Sequence, residues 1–246
     1  MLNRFRPVVW IPVLGILTLA TWYSAAGIQA QTAQARKKNP ARTAVTRTEA
    51  TAPATSPGEV DVERSRVYVY VDKTGLGHEH GIEGLIRSGQ MQIGAKSDAG
   101  SIEFDLTSFQ ADTDRARRYV GLTGSTSAST RQQVQKNLLG ADVLDAKRYP
   151  TATFKIASAQ LKKTPQGQTQ VEMKGEFTLH GKTRPIAILA NATQQKGDWN
   201  LKGDFAILQT EYGIKPYTTA LGAVGVADQL RIYGDLWIAG AAAATE

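Results

Sequence analysis

The chain has no cysteine. Disulfides, thiolate metal sites and cysteine nucleophiles are thereby excluded, and any folded part must be held by its core and its backbone hydrogen bonds. Histidine is almost as scarce, with His78, His80 and His180 the only three. A basic excess exists, formally +7, but not where a nucleic-acid surface would need it. Residues 1–60 hold seven Lys and Arg against two acidic residues, and residues 61–246 are close to balance at 22 against 20. The excess belongs to the N-terminal portion, so no nucleic-acid partner is expected. Catalytic signatures are missing as well. Gly75-Leu76-Gly77 lacks the strand, crossover helix and acidic residue of a dinucleotide site, and the Ser/Thr-rich stretch 123–130 contains no Gly-x-Ser-x-Gly elbow. Asp142 and Asp145 have an acid–base spacing, but Lys147 and Arg148 beside them favour surface ion pairing. The expectation is a protein that is not an enzyme and needs no cofactor.

What is present begins with an export signal. Arg4 and Arg6 precede an apolar run from Val8 to about Tyr23, and small residues then offer cleavage after Ala26 or Ala30. The alternative is an uncleaved membrane anchor through residues 7–28, which is just long enough to span a bilayer. Either way residues 1–30 direct the rest of the chain to the periplasm or cell envelope. Residues 31–60 are rich in Ala, Thr, Pro and Lys/Arg without an apolar period, so they read as a disordered linker.

From Asp61 to about residue 240 the pattern is that of strands. Val67, Val69 and Val71 alternate with Tyr68 and Tyr70. Further strands are expected near Gly89–Ala95 and over Gly100–Phe109, where Ile102, Phe104 and Leu106 share a face. A helical insert follows. Asp112 or Thr113 could cap a short helix through Tyr119, and Ser129 with Gln132 has capping-box spacing for a second helix ended by Gly140. The hinge between the two styles is Ala141–Ile156, ADVLDAKRYPTATFKI. Pro150 biases Tyr149 toward extended backbone, and Ala152, Phe154 and Ile156 then alternate with polar neighbours. Strands continue over Thr151–Lys162, Thr169–His180, Pro185–Thr193, Asp198–Thr210 and Asp228–Ala239. A turn at Thr164–Gly167 and a hairpin at Gly181-Lys182 join them. About eight strands with short turns make a mainly β domain. It closes most economically as one antiparallel barrel, with a two-sheet sandwich as the alternative.

Several ordered segments resemble one family, the YceI-like domain of exported bacterial proteins. They are His80-Gly81 with Gly84, Ala141-Asp142 through Asp145–Phe154, Gly175–Pro185, Thr210–Ile214 and the last strand. The resemblance covers about residues 65–239. It implies a lipocalin-like β-barrel whose partner is a polyisoprenoid or another long apolar lipid held inside. Two features depart from the family pattern. Val134-Gln135-Lys136-Asn137 stands where the family commonly has Arg-Asp-x-His, and the helical stretch 112–139 is longer than in most members.

A barrel of about eight strands has room for packed side chains or one ligand. Phe104, Phe154, Met173, Phe177, Leu179, Trp199 and Phe205 fall on its apolar faces and are the expected cavity lining, or else the filling of a solid barrel that serves as an interaction domain. The histidines allow a rival reading. His78 and His80 share a strand face, and with His180 they could form a zinc or copper site of a metal-binding protein or metal-dependent enzyme. The simpler role is hydrogen bonding at the glycine turns Gly81 and Gly181. The leading expectation is an exported barrel that sequesters or carries a long apolar lipid.

Overall fold

The computed structural model describes residues 56–240. The expected leader 1–30, its anchor alternative 7–28 and residues 31–55 of the linker lie outside the described residues. The ordered chain starts earlier than Asp61. Val60 is buried, bridges Ile238, and packs where a side chain at Gly89 would otherwise stand, while Glu59 bridges Gln90. A single apolar residue in a polar stretch carries no periodicity, which is why the boundary reads late from sequence.

The strands are β1 (Arg66–Gly75), β2 (His80–Met91), β3 (Gly100–Ala111), β4 (Thr151–Lys163), β5 (Thr169–Leu179), β6 (Lys182–Gln195), β7 (Asp198–Leu208), a two-residue β8 (Thr218–Thr219) and β9 (Val224–Ile238). Each long strand pairs antiparallel with the next, β7 pairs with β9, and β1 pairs with β9, which closes eight long strands into a barrel. The antiparallel barrel expected from the strand count is therefore present, and the sandwich is not. Closure removes the sheet edges that an open sheet would expose. One seam stays loose: β6 pairs with β5 from Lys182 to Asn191 but meets β7 only from Ala190 to Gln195. Pro185, which has no N–H to donate, sits in that half-open stretch.

Two local corrections follow from the coordinates. β2 runs over His80–Met91 rather than near Gly89–Ala95. Gly84 and Gly89 carry no side chain to mark the apolar face, and a bulge between Ile86 and Ser88 shifts the alternation by one. The glycine at 84 is needed, because any Cβ there would strike the Phe109 ring. The hairpin after β5 turns on His180-Gly181, one residue earlier than expected, with φ of 50° and 71° and Leu179 facing Lys182. Two left-handed residues in a two-residue loop make the turn whose twist matches that of the strands.

Between β3 and β4 lie α1 (Asp114–Tyr119) and α2 (Ala128–Leu139). Thr113 caps α1, its Oγ1 accepting from Ala116 N at 3.0 Å. Tyr119 stacks on Tyr68 with ring centroids 3.8 Å apart, so α1 lies on the outer face of β1. α2 begins two residues before the expected box: Ser127, not Ser129, is its cap, accepting from Thr130 N, and Gly140 ends it as expected. Pro150 O accepts from Leu106 N at 2.9 Å, and the Tyr149 ring packs 4.5 Å from the His180 ring. The Ala141–Ile156 stretch thus ties the helical insert to two separate strands. Among the described residues, no helix is long and apolar enough to cross a membrane.

The two ends of the barrel differ. At the end holding the β2–β3 and β6–β7 connections, Val60, Met91, Ile102, Ile156, Val171, Leu201 and Ile238 are all buried and fill the interior. At the other end lie the β1–β2 and β5–β6 connections, α2 and the 209–223 loop, and there the interior is not filled.

Candidate functional site

The period-2 alternation of the strands sends Val67, Val69 and Val71 of β1, Ile82 of β2, Phe104 and Leu106 of β3, and Leu230 and Ile232 of β9 to the inside. Together they enclose a cavity of about 280 Å3. α2 forms its cover. Thr130, Gln133, Val134, Asn137 and Leu138 line the cavity at helical spacing, one face of the helix looking into the barrel. Gln135, on the next face, holds α2 to the end of β3: its Oε1 accepts from Ala111 N at 2.8 Å and its Nε2 donates to Phe109 O at 2.7 Å. Of the four residues that replace the family's Arg-Asp-x-His, two therefore line the cavity and one tethers the cover.

The expected lining residues divide into three groups. Phe104, Phe177, Leu179 and Phe205 line the main cavity. Phe154 and Met173 line a smaller one of about 50 Å3 nearer the filled end, which Phe104 and Phe205 also touch. Trp199 lines neither; it pairs with Ile238 near the filled end. The Phe177 ring lies edge-on to Phe104 at 6.2 Å, to Phe205 at 5.8 Å and to Tyr212 at 5.8 Å. These rings stand between the two cavities, in the edge-to-face arrangement that the quadrupole of an aromatic ring favours.

The histidines are not brought together as a ligand set. His180 occupies the β5–β6 turn and its Nδ1 donates to Tyr212 O at 3.3 Å. His78 and His80 lie on the cavity wall, and among the described residues no group of three or more His, Asp or Glu is placed to hold a metal. His80 is instead engaged by Asp112, a residue considered above only as a helix cap. The side chain of Asp112 is fully buried; its Oδ2 accepts from His80 Nδ1 at 2.8 Å, and its Oδ1 accepts from Gly81 N at 3.1 Å and Arg117 Nη1 at 3.2 Å. Burial alone would raise this carboxyl, but hydrogen bonding and charge from His80, with the Gly81 N–H, hold it below its ordinary value. Asp112 also sits at φ 52°, a conformation uncommon outside glycine that this network over-determines.

Two further parts of the site escape sequence reasoning. The cavity face of α2 is half polar, so it lacks the apolar stripe that marks a core-facing helix. Tyr217, in the loop before β9, reaches the cavity from a segment with no pattern at all. The arrangement as a whole is a mostly apolar chamber with a polar patch under its cover, closed at one end by packed side chains. That is the form of a site that encloses an amphiphile.

Known proteins share this construction. A profile of the YceI-like domain matches residues 59–236. A UPF0312 protein of Vibrio cholerae is 42% identical over 62 residues, which is 25% of this chain and 31% of the relative. A UPF0312 protein of Pseudomonas savastanoi is 28% identical over 122 residues, 47% of this chain and 59% of the relative. The matched stretches thus span from about a third to somewhat over half of these relatives. Among solved structures, a polyisoprenoid binding domain from Saccharophagus degradans, implicated in plant cell wall breakdown, superimposes with a TM-score of 0.51. It is 13% identical over 75% of this chain and 99% of its own. The match over residues 59–236, spanning the helical insert and all of the barrel but the last two residues of β9, makes this chain a member of the YceI-like domain family.

Proposed function

We propose that this chain is an exported carrier that sequesters a long apolar lipid of polyisoprenoid type in its barrel, without covalent chemistry. The observation that carries the proposal is the cavity: about 280 Å3, enclosed by apolar side chains from seven strands, with no Asp, Glu, Lys or Arg of the described residues in its lining. Its volume is near the lower end for small-molecule sites, and the second cavity behind the Phe rings offers a tail further room. A flexible isoprenoid suits such a space, because each methylene moved from water to the interior contributes about 0.8 kcal/mol. The same fold in a polyisoprenoid binding domain supports this class of ligand. The leader in residues 1–30 supports export to the periplasm or envelope, either free after cleavage or held to the membrane through residues 7–28.

Organic extraction of the protein purified from envelope fractions, followed by mass spectrometry, tests the carrier reading. A prenyl lipid recovered at close to one per chain is the expected result. Protein that yields no apolar lipid, and takes none up when exposed to prenyl lipids, would overturn it. N-terminal sequencing of the same preparation tests export: a start at Gly27 or Gln31 is expected after cleavage, and an intact Met1 in the membrane fraction marks the anchored form. Recovery from the cytoplasm with Met1 intact would refute both.

A further inference from the structure

We infer that the cavity contains a subsite for the head of its lipid, centred on His80 Nε2, and that this head is neutral and carries a hydroxyl. The inference rests on the carrier reading above and concerns which lipid the barrel accepts. Asp112 Oδ2 accepts from His80 Nδ1. A carboxylate can only accept, so the neutral ring carries its proton on Nδ1 and a lone pair on Nε2. That second nitrogen has no protein partner among the described residues, and its ring is part of the cavity wall. An acceptor on a mostly apolar cavity wall loses its water when an apolar tail fills the chamber, which is costly unless a donor on the ligand meets it, and a ligand hydroxyl supplies one.

The surroundings restrict the head further. The polar lining consists of His78, His80, Thr130, Gln133, Asn137, Gln209 and Tyr217, all uncharged when the histidines are neutral. Arg117, the cation paired with Asp112, is also committed to the carbonyls of Thr123 and Gly124. A phosphate or carboxylate head would enter without a counter-ion, which burial penalises heavily. Gln133 Nε2 donates to Asn137 Oδ1 at 2.9 Å. The pair therefore keeps Gln133 Oε1 as an acceptor and three N–H groups as donors for the same hydroxyl or its neighbours. The tail then runs from His80 past Val69 and Leu106 toward the rings of Phe104, Phe177 and Phe205.

The Asp112 contact also offers a way to reverse the preference. In Asp112→Asn, Oδ1 can still accept from Gly81 and Arg117, while the amide nitrogen donates to His80 Nδ1. The ring proton then moves to Nε2, which changes from acceptor to donor.

The test uses the full exported domain, stripped of lipid, at about pH 8, above the ordinary imidazole range. It measures binding of three probes that share one tail: geranylgeraniol, its methyl ether and its monophosphate. The alcohol should bind about fivefold more tightly than the ether, the worth of one hydrogen bond. The phosphate should bind more weakly than either. In Asp112→Asn the ether should recover to within about twofold of the alcohol, since both oxygens accept from Nε2–H. Should that variant fail to fold, His80→Phe serves, and it should bind alcohol and ether equally. Equal binding of alcohol and ether by the native protein would overturn the head subsite and leave the carrier reading standing. Phosphate binding as tight as the alcohol would overturn the neutral head. An unchanged alcohol preference in Asp112→Asn or His80→Phe would remove His80 from the subsite, and binding of none of the three would overturn the carrier reading itself.

Discussion

His180 illustrates how much one residue's backbone can decide. It sits at φ 50° in the β5–β6 turn, donates to Tyr212 O and packs on Tyr149. His180→Asn should cost little beyond the lost contact, because Asn tolerates the left-handed region. His180→Val should cost a further 1–2 kcal/mol or so in denaturant unfolding, because a β-branched residue does not. Equal losses for the two would show that the ring, not the backbone, matters there. Asp112 is the second decisive residue. Asp112→Ala leaves the Gly81 N–H, His80 and Arg117 without their acceptor and should cost about 3 kcal/mol. The carboxyl titrates below its ordinary 3.8 in the folded protein. Its contribution is therefore complete above that pH and is lost as pH falls through the lower folded value. Asp112→Asn should flatten the stability profile below pH 3.8, and an unchanged acid limb would contradict the ionised network. A glycine turn is present beside His180 but not beside His80, since Gly81 lies inside β2 and pairs with Tyr70. The sequence could not reveal Asp112 as the partner of His80, because 32 residues and an entire hairpin separate them.

At the scale of elements, α2 is the part of the insert held by the fewest buried side chains. It has no buried residue and touches the barrel through partly buried Val134, Leu138 and Leu139, with Gln135 as its polar tether. Such an element belongs to the low end of the local stability range. Its amides should exchange with solvent well before those of β4 and β5, and Gln135→Ala should hasten release of bound lipid. Protection in α2 equal to that of the barrel strands would contradict a mobile cover. The legibility of elements followed the strength of their patterns. β3, β4, β5 and β7 alternate cleanly and were placed within two residues at each end. β2 was misplaced because Gly84 and Gly89 blank out its inner face and a bulge changes its phase. α2 was recognised, but its cap moved from Ser129 to Ser127 because the 123–130 stretch offers several equivalent hydroxyls. Of the aromatics on the apolar faces, Phe104, Phe154, Phe177 and Phe205 meet a cavity and Trp199 meets neither. Which cavity each one meets depends on strand stagger and closure, which no single strand encodes.

The described residues form a barrel closely packed at one end and hollow at the other, with Phe104, Phe177 and Phe205 at the boundary. Phe177→Ala should join the two cavities, lower the stability of the lipid-free protein by about 3 kcal/mol and shift the preferred tail toward longer chains. Longer lipids should restore part of that loss, whereas a barrel that is simply a solid core would show the loss with no recovery. The most direct test of the central claim is the unfolding free energy of the stripped barrel as geranylgeraniol is titrated in. Ligand that binds only the folded state should stabilise it by RT ln(1 + [L]/Kd), about 2.7 kcal/mol at a hundredfold excess over Kd. Val71→Trp, which fills the cavity from β1, should abolish the effect. Unfolding that does not respond to any long prenyl lipid, or that responds equally in Val71→Trp, would contradict a lipid-holding barrel.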